Sequence, residues 1–206
     1  YLALWWLFIY LIQNSFTIGL LLGATLVINT FLLKYLLTKK KQQLTKSMTF
    51  ISGVFYIGGG CIFLTLIPYT TPEFAKMLIT GIFLIIWMND SFAYLVGKQF
   101  GKNKLYPSVS PKKTVEGAVG GLVFGLLAAV LIAQIDPLLS LSQWLILATV
   151  VVITGNLGDL LESKFKRVAG VKDSGAILPG HGGMLDRLDS LIFAAPFAYL
   201  LIIIFN

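Results

Sequence analysis

One cysteine and one histidine stand among 206 residues. Cys61 has no second cysteine to pair with inside the chain, so it says nothing of a redox compartment. With His181 and a distant Cys61 as the sole ligands of their kind, a zinc site falls short of the usual ligand count. Charge is scarce too. Asp, Glu, Lys and Arg make up 12% of the chain, against roughly 25% in soluble domains. No Walker-type phosphate loop is present, and neither Ser163 nor Ser174 sits in a nucleophile elbow. What is abundant is apolar surface: 57% of residues are hydrophobic and the mean hydropathy is +0.85. A water-soluble globule of this size could not bury that much. The composition excludes a soluble enzyme, a disordered chain and a disulfide scaffold. It leaves an all-α, polytopic transmembrane helical bundle whose spans run to about 20 residues each.

About seven spans are expected. The chain opens on Tyr1 and is apolar from there, so Tyr1–Ile12 reads as the partial tail of a helix that begins upstream. Six apolar stretches follow, at approximately Phe16–Leu37, Met48–Pro68, Phe74–Val96, Gly117–Ile135, Leu141–Leu157 and Met184–Phe205. The formal net charge is +7, but position decides its meaning. Fifteen of the 16 basic residues fall in three alternate connections, Lys34–Lys46, Lys98–Lys113 and Asp159–Arg187. That alternation follows the positive-inside rule and places all three loops in the cytoplasm. The basic balance is therefore a topology and lipid-headgroup signal, and no nucleic-acid partner is implied. Gly58–Gly60 and Gly120-Gly121 suit close helix approach better than phosphate binding.

Acids are fewer than bases, nine in all. Glu73 and Asp136 fall in the outer loops. Asp90, Glu116, Asp159, Glu162, Asp173, Asp186 and Asp189 all lie at or near the basic ends of spans. Ionisable groups at membrane depth are costly and face a cavity or a partner, so this gathering predicts a polar site on one side. If Asp159–Lys166 is helical, Asp159, Glu162, Ser163 and Lys166 share a face; Asp186, Asp189 and Ser190 share another. Between them Pro179-Gly180-His181-Gly182-Gly183 forms a glycine-rich turn that lets backbone approach a ligand closely. Carboxylates with phosphate oxygens and water suit Mg²⁺, and neighbouring Lys and Arg suit phosphates. A structural ion-pair network holding a re-entrant loop is the competing reading of the same charges. Upstream, Asp90 and Tyr94 are one helical turn apart. Ser110-Pro111-Lys112-Lys113-Thr114 reads as a turn into a helix capped by Thr114, or as a topogenic lysine loop.

These residues resemble a known signature. Ser163-Lys164-Phe165-Lys166-Arg167, Lys172-Asp173-Ser174-Gly175 and Leu178–Asp189 fit the form S-x-x-K-R-x4-K-D-x-G-x2-L-P-x-H-G-G-x2-D-R-x-D over residues 163–189. This closely resembles the phosphatidate cytidylyltransferase (CDP-diacylglycerol synthase) family. Asn89-Asp90, Ala93-Tyr94, Gly97-Lys98, Phe100-Gly101 and Ser110–Thr114 with Glu116-Gly117 look like that family's upstream region. Val115 stands where many relatives carry an aromatic. The likeness covers 87–206, taken as the catalytic transmembrane region; 1–86, the N-terminal transmembrane helices, agree only in being hydrophobic.

The resemblance implies transfer of CMP from CTP to phosphatidic acid, divalent-metal dependence with Mg²⁺, a homodimer, and a bacterial cytoplasmic (inner) membrane location with the site facing the cytoplasm. Carried over, it makes Asp159, Asp186 and Asp189 metal ligands. Asp173 becomes a further catalytic residue, as a metal ligand or as the group that orients Lys172. Ser163, Lys166, Arg167, Lys172, His181 and Arg187 become phosphate holders with Gly182 and Gly183. Asp90, Tyr94, Lys112 and Lys113 become substrate-binding residues. Two other readings stay open: a CTP-dependent enzyme acting on an isoprenoid-based lipid or lipid alcohol, and an ion-coupled transporter, which would place its acids near mid-span.

Overall fold

A computed structural model describes residues 14–38, 44–175 and 183–205. The Tyr1–Ile12 helix tail, Lys39–Lys41, His181 and Gly182 lie outside the described residues. Among the described residues six helices are long and apolar enough to cross a membrane. They are α1 (Ser15–Leu37), α2 (Lys46–Tyr69), α3 (Lys76–Phe100), α4 (Val115–Ile135), α5 (Leu141–Ala169) and α6 (Leu185–Phe205). A short antiparallel hairpin, β1 (Lys104–Tyr106) and β2 (Ser110–Thr114), joins α3 to α4.

Local chemistry sets most of these ends. The Asn14 side chain accepts from Phe16 N–H, Thr45 from Met48 N–H and Thr114 from Gly117 N–H, each satisfying an orphan donor of a first turn. A reciprocal Ser140–Gln143 capping box opens α5. At its other end Gly170 takes φ +72°, a left-handed conformation that favours glycine, and its N–H closes onto the last turn. α2 is not a uniform helix: Gly53–Gly59 widens into a π-helical segment before α geometry resumes.

The core explains why all six helices look alike in hydropathy. α4 turns Gly117, Gly121, Gly125, Ala128 and Ile132 inward, while Val119, Val123, Leu127 and Leu131 form an exposed stripe on the other side. Such a stripe would be a liability in water and is suited to lipid. The small inner residues let α3 come close: a Cβ at Gly120 would stand 2.7 Å from Val96, and one at Gly121 2.5 Å from the Asn89 amide oxygen. The expectation for Gly120-Gly121 therefore holds. In the triple glycine, Gly59 and Gly60 pack against Thr25 and Ile192, whereas Gly58 faces open space. Trp144, Phe63, Leu78, Ile82, Ile85 and Leu147 fill the main core. A second cluster, including Leu32, Tyr56, Leu161 and Phe193, ties α1 and α2 to α5 and α6.

Two boundaries differ from expectation. α5 continues past Leu157 to Ala169, so the connection starts later than the apolar stretch suggests and Asp159–Lys166 is helical, as its shared face requires. Its charges recur at i, i+3 and i+4 and support a polar face rather than a coil. Ser110–Lys113 is a strand paired with β1 rather than a turn; Thr114 still caps α4 as expected. Because successive helices reverse, the C-terminal ends of α1, α3 and α5 and the N-terminal ends of α4 and α6 meet at one end of the bundle. The functional candidates are there.

Candidate active site

A cavity of about 570 Å³ opens at this end. Asp90 and Tyr94 reach it from α3, Lys112 and Lys113 from β2, Asn156, Asp159 and Lys166 from α5, and Asp186, Arg187 and Asp189 from α6. Residues separated by nearly 100 positions thus line one space, and nine of these ten are among the sequence candidates, Asn156 being the tenth.

One side of the cavity centres on Asp159. Its carboxylate forms an ion pair with Lys113 Nζ, which spans from the hairpin to α5. Ser163 Oγ, one turn further along α5, donates to Asp159 Oδ1 at 3.3 Å. Asp189 is buried, its Oδ1 accepting from Ser190 N–H at 2.8 Å. Asp90 accepts from the Asn89 amide at 2.9 Å, and Asn89 also exchanges amide hydrogen bonds with Asn156. That pair links α3 to α5 at the cavity wall, which Asn156 lines.

The other side centres on Asp186. Lys166 Nζ lies 2.7 Å from its Oδ1 and 2.5 Å from Glu162 Oε2, bridging α5 and α6. Asp186 Oδ2 accepts from the Ser174 backbone at 2.9 Å, the Ser174 hydroxyl at 2.8 Å and the Gly183 backbone at 2.7 Å. The shared faces expected on α5 and α6 are present, and they point at each other through Lys166.

Other candidates lie elsewhere. Arg167 is exposed and its Nε donates to the Val109 carbonyl of the hairpin at 3.4 Å. Lys172 and Asp173 are exposed on the segment after α5 and do not line the cavity. His181 and Gly182 are outside the described residues; Gly183 meets Asp186 through its backbone. Sequence reasoning passes over three groups. Asn156 faces the cavity from α5, three residues before Asp159, a spacing that puts both on one face. Lys98 and Lys104 also line it; Lys98 belongs to the upstream stretch that carries the resemblance, with no role assigned there, and Lys104 counts only as topogenic charge.

Beside the polar cavity runs an apolar groove of about 430 Å³. Leu37, Tyr106, Val119, Leu122 and Ile153 line it, and Ala118 and Asn156 border both spaces. Charge on one side and an open apolar groove on the other is an arrangement for a molecule with an anionic head and a hydrocarbon body.

The sequence pattern described as the cytidylyltransferase family matches residues 1–205. The chain belongs to that family. Phosphatidate cytidylyltransferase of Staphylococcus saprophyticus is 40% identical over 193 residues, covering 92% of this chain and 72% of the relative. The proteins of the same name from Staphylococcus haemolyticus and Staphylococcus aureus are each 39% identical, covering 88% of this chain and 69% of their own length. Family membership therefore extends over the N-terminal helices too, where the sequence alone offers only hydrophobicity.

Proposed function

We propose that this chain transfers CMP from CTP to phosphatidic acid, releasing pyrophosphate and forming CDP-diacylglycerol. The observation that carries this reading is the juxtaposition of the Asp159–Lys113 and Asp186–Lys166 pairs in one cavity with an adjoining apolar groove. The names of the relatives supply the substrates. A phosphate oxygen of the lipid attacks the α-phosphorus of CTP, the bond to the bridging oxygen of the β-phosphate breaks, and pyrophosphate leaves. The lipid phosphate is already anionic, so no protein base is required, and catalysis reduces to positioning and charge stabilisation. Lys113 and Lys166 are placed to hold phosphate oxygens, with Lys112 and Arg187 behind them. The acyl body lies along Val119, Leu122 and Ile153.

The carboxylates fit a divalent cation of the Mg²⁺ class. Asp90, Asp159 and Asp189 are hard oxygen donors around one space. Among the described residues no cluster of three acidic, His or Cys groups is tight enough to hold a metal alone. An ion here would be carried by one or two carboxylates together with nucleotide phosphates. Asp159 and Asp189 would hold it, and Asp186 would join only by exchanging some of its present donors. When bound, the cation supplies charge neutralisation at the transferring and leaving phosphates.

The same reading puts the cavity in the cytoplasm at a bacterial inner membrane, supported by the crowding of basic residues at that end. A homodimer rests on the family resemblance. The test is Mg²⁺-dependent transfer of labelled CMP from CTP to phosphatidic acid in detergent. Wild type should label the lipid and lose this activity with chelator; Asp159→Asn and Asp186→Asn should each lose at least about a hundredfold, the order seen when one transition-state charge interaction is removed. Labelling of an isoprenoid phosphate or lipid alcohol in preference to phosphatidic acid, or near-normal turnover by both variants, overturns the reading.

A further inference from the structure

Lys164 is not a fixed position of the signature, yet it is the most fully enclosed cation described. The residue is 5% exposed, and among the described residues no carboxylate pairs with it. Its Nζ instead donates to the carbonyls of Tyr35, of Leu36 at 3.2 Å and of Thr38 at 2.7 Å, and lies 4.2 Å from the centre of the Tyr35 ring. Those carbonyls belong to the last turn and C-cap of α1, where acceptors lack i+4 partners and the helix dipole is negative; the Tyr35 carbonyl also takes the Thr38 N–H. Lys164 therefore docks the C-terminal end of α1 onto α5, five residues from Asp159 and two from Lys166.

The Leu36 carbonyl has a second donor: Tyr106 Oη of β1, at 2.8 Å. Contacts then close a ring. α5 reaches the end of α1 through Lys164, the end of α1 holds β1 through Leu36 and Tyr106, β1 pairs with β2, and β2 returns to α5 through the Lys113–Asp159 ion pair across the cavity. The cavity wall that carries Lys112 and Lys113 is thus anchored to the helix that carries Asp159 by way of a buried cation outside the cavity.

We infer that Lys164 is a positioning residue: through the Leu36 carbonyl it fixes the hairpin at the distance from α5 where Lys113 can meet both Asp159 and the nucleotide triphosphate. This rests on the reading that CTP occupies the cavity. Lys164 touches no reacting atom, so its effect belongs in nucleotide affinity rather than in turnover at saturation.

The experiment compares wild type with Lys164→Met, Lys164→Arg and Tyr106→Phe in purified full chain. Lys164→Met should raise KM for CTP about tenfold, the scale of one charge-assisted hydrogen bond, with kcat within about twofold and KM for phosphatidic acid unmoved. Lys164→Arg should restore most of it, and Tyr106→Phe should raise KM for CTP less. A fall in kcat and thermal midpoint with KM for CTP unchanged assigns Lys164 a structural role only and overturns the proposal. A second measurement does not depend on activity: spin labels at Ser108→Cys and Ala169→Cys, with Cys61→Ser, report the hairpin–α5 distance. That distribution should broaden or shift in Lys164→Met and return in Lys164→Arg; an unchanged distribution overturns the proposal even if the substrate reading is wrong.

Discussion

Asp159 and Asp186 face the same cavity but are held in opposite ways. Asp159 meets one lysine, contributed by a distant hairpin, and a long hydrogen bond from Ser163. Asp186 is wrapped by Lys166 and by three donors from Ser174 and Gly183. A carboxylate with one cationic partner and one long hydrogen bond can change partners at small cost. A carboxylate whose Oδ2 already accepts three hydrogen bonds is an organising point, joining α5, the segment after it and the start of α6. Two acids to which the resemblance assigns one role therefore differ in their surroundings, one lightly held and one fixed among several donors.

The widest separation should appear in thermal unfolding. Asp159→Asn is expected to lose activity while keeping its midpoint, whereas Asp186→Asn should lose activity and also fall by several degrees, because donors at a partly buried site would lose a charged acceptor at about 1–3 kcal/mol. Equal midpoints in differential scanning fluorimetry would erase the distinction. Next in size, Lys113→Met should raise KM for CTP about tenfold, again the scale of one charge-assisted hydrogen bond, with little change in stability since Lys113 is partly exposed. A stability loss matching that of Asp186→Asn would show that both pairs are architectural. The smallest effect belongs to Gly170→Ala. At φ +72° a Cβ costs about 1 kcal/mol, and because Gly170 leads the chain towards Ser174 it should lower the midpoint slightly without moving KM for CTP.

Much of this is legible in the sequence because hydropathy runs and charge spacing are local. The six described spans, the Thr114 cap and the α5 and α6 faces follow from such patterns. The end of α5 is not legible. Asp159–Lys166 has helical charge spacing but too little hydropathy to extend the span with it, and the tertiary partners of its charges, with Gly170 in a left-handed conformation, show where the helix stops. The hairpin escapes notice for a similar reason: Lys-Leu-Tyr and Ser-Pro-Lys-Lys-Thr carry little strand signal, and their pairing is stabilised by Glu116, which accepts from Lys102 and Asn103 N–H and from the Asn103 side chain. Lys164 and Lys166 look equivalent as basic residues. One caps a neighbouring helix and the other bridges two acids, a difference that depends on which way each side chain leaves α5.

The overlength of α5 sets a depth. Eighteen residues separate Leu141 from Asp159, about 27 Å of helix at 1.5 Å per residue, close to the roughly 30 Å of a bilayer's hydrocarbon. A helix that begins at the far interface therefore brings Asp159 to the edge of the hydrocarbon, within side-chain reach of lipid phosphates, with its remaining turns beyond that edge. A phosphatidic acid substrate can slide sideways into reach with its tails still dissolved in oil. Lifting it out would expose acyl methylenes at about 0.8 kcal/mol each, on the order of 10 kcal/mol for a long chain. The protein brings the nucleotide down to the lipid, and the ruler that measures the descent is one helix.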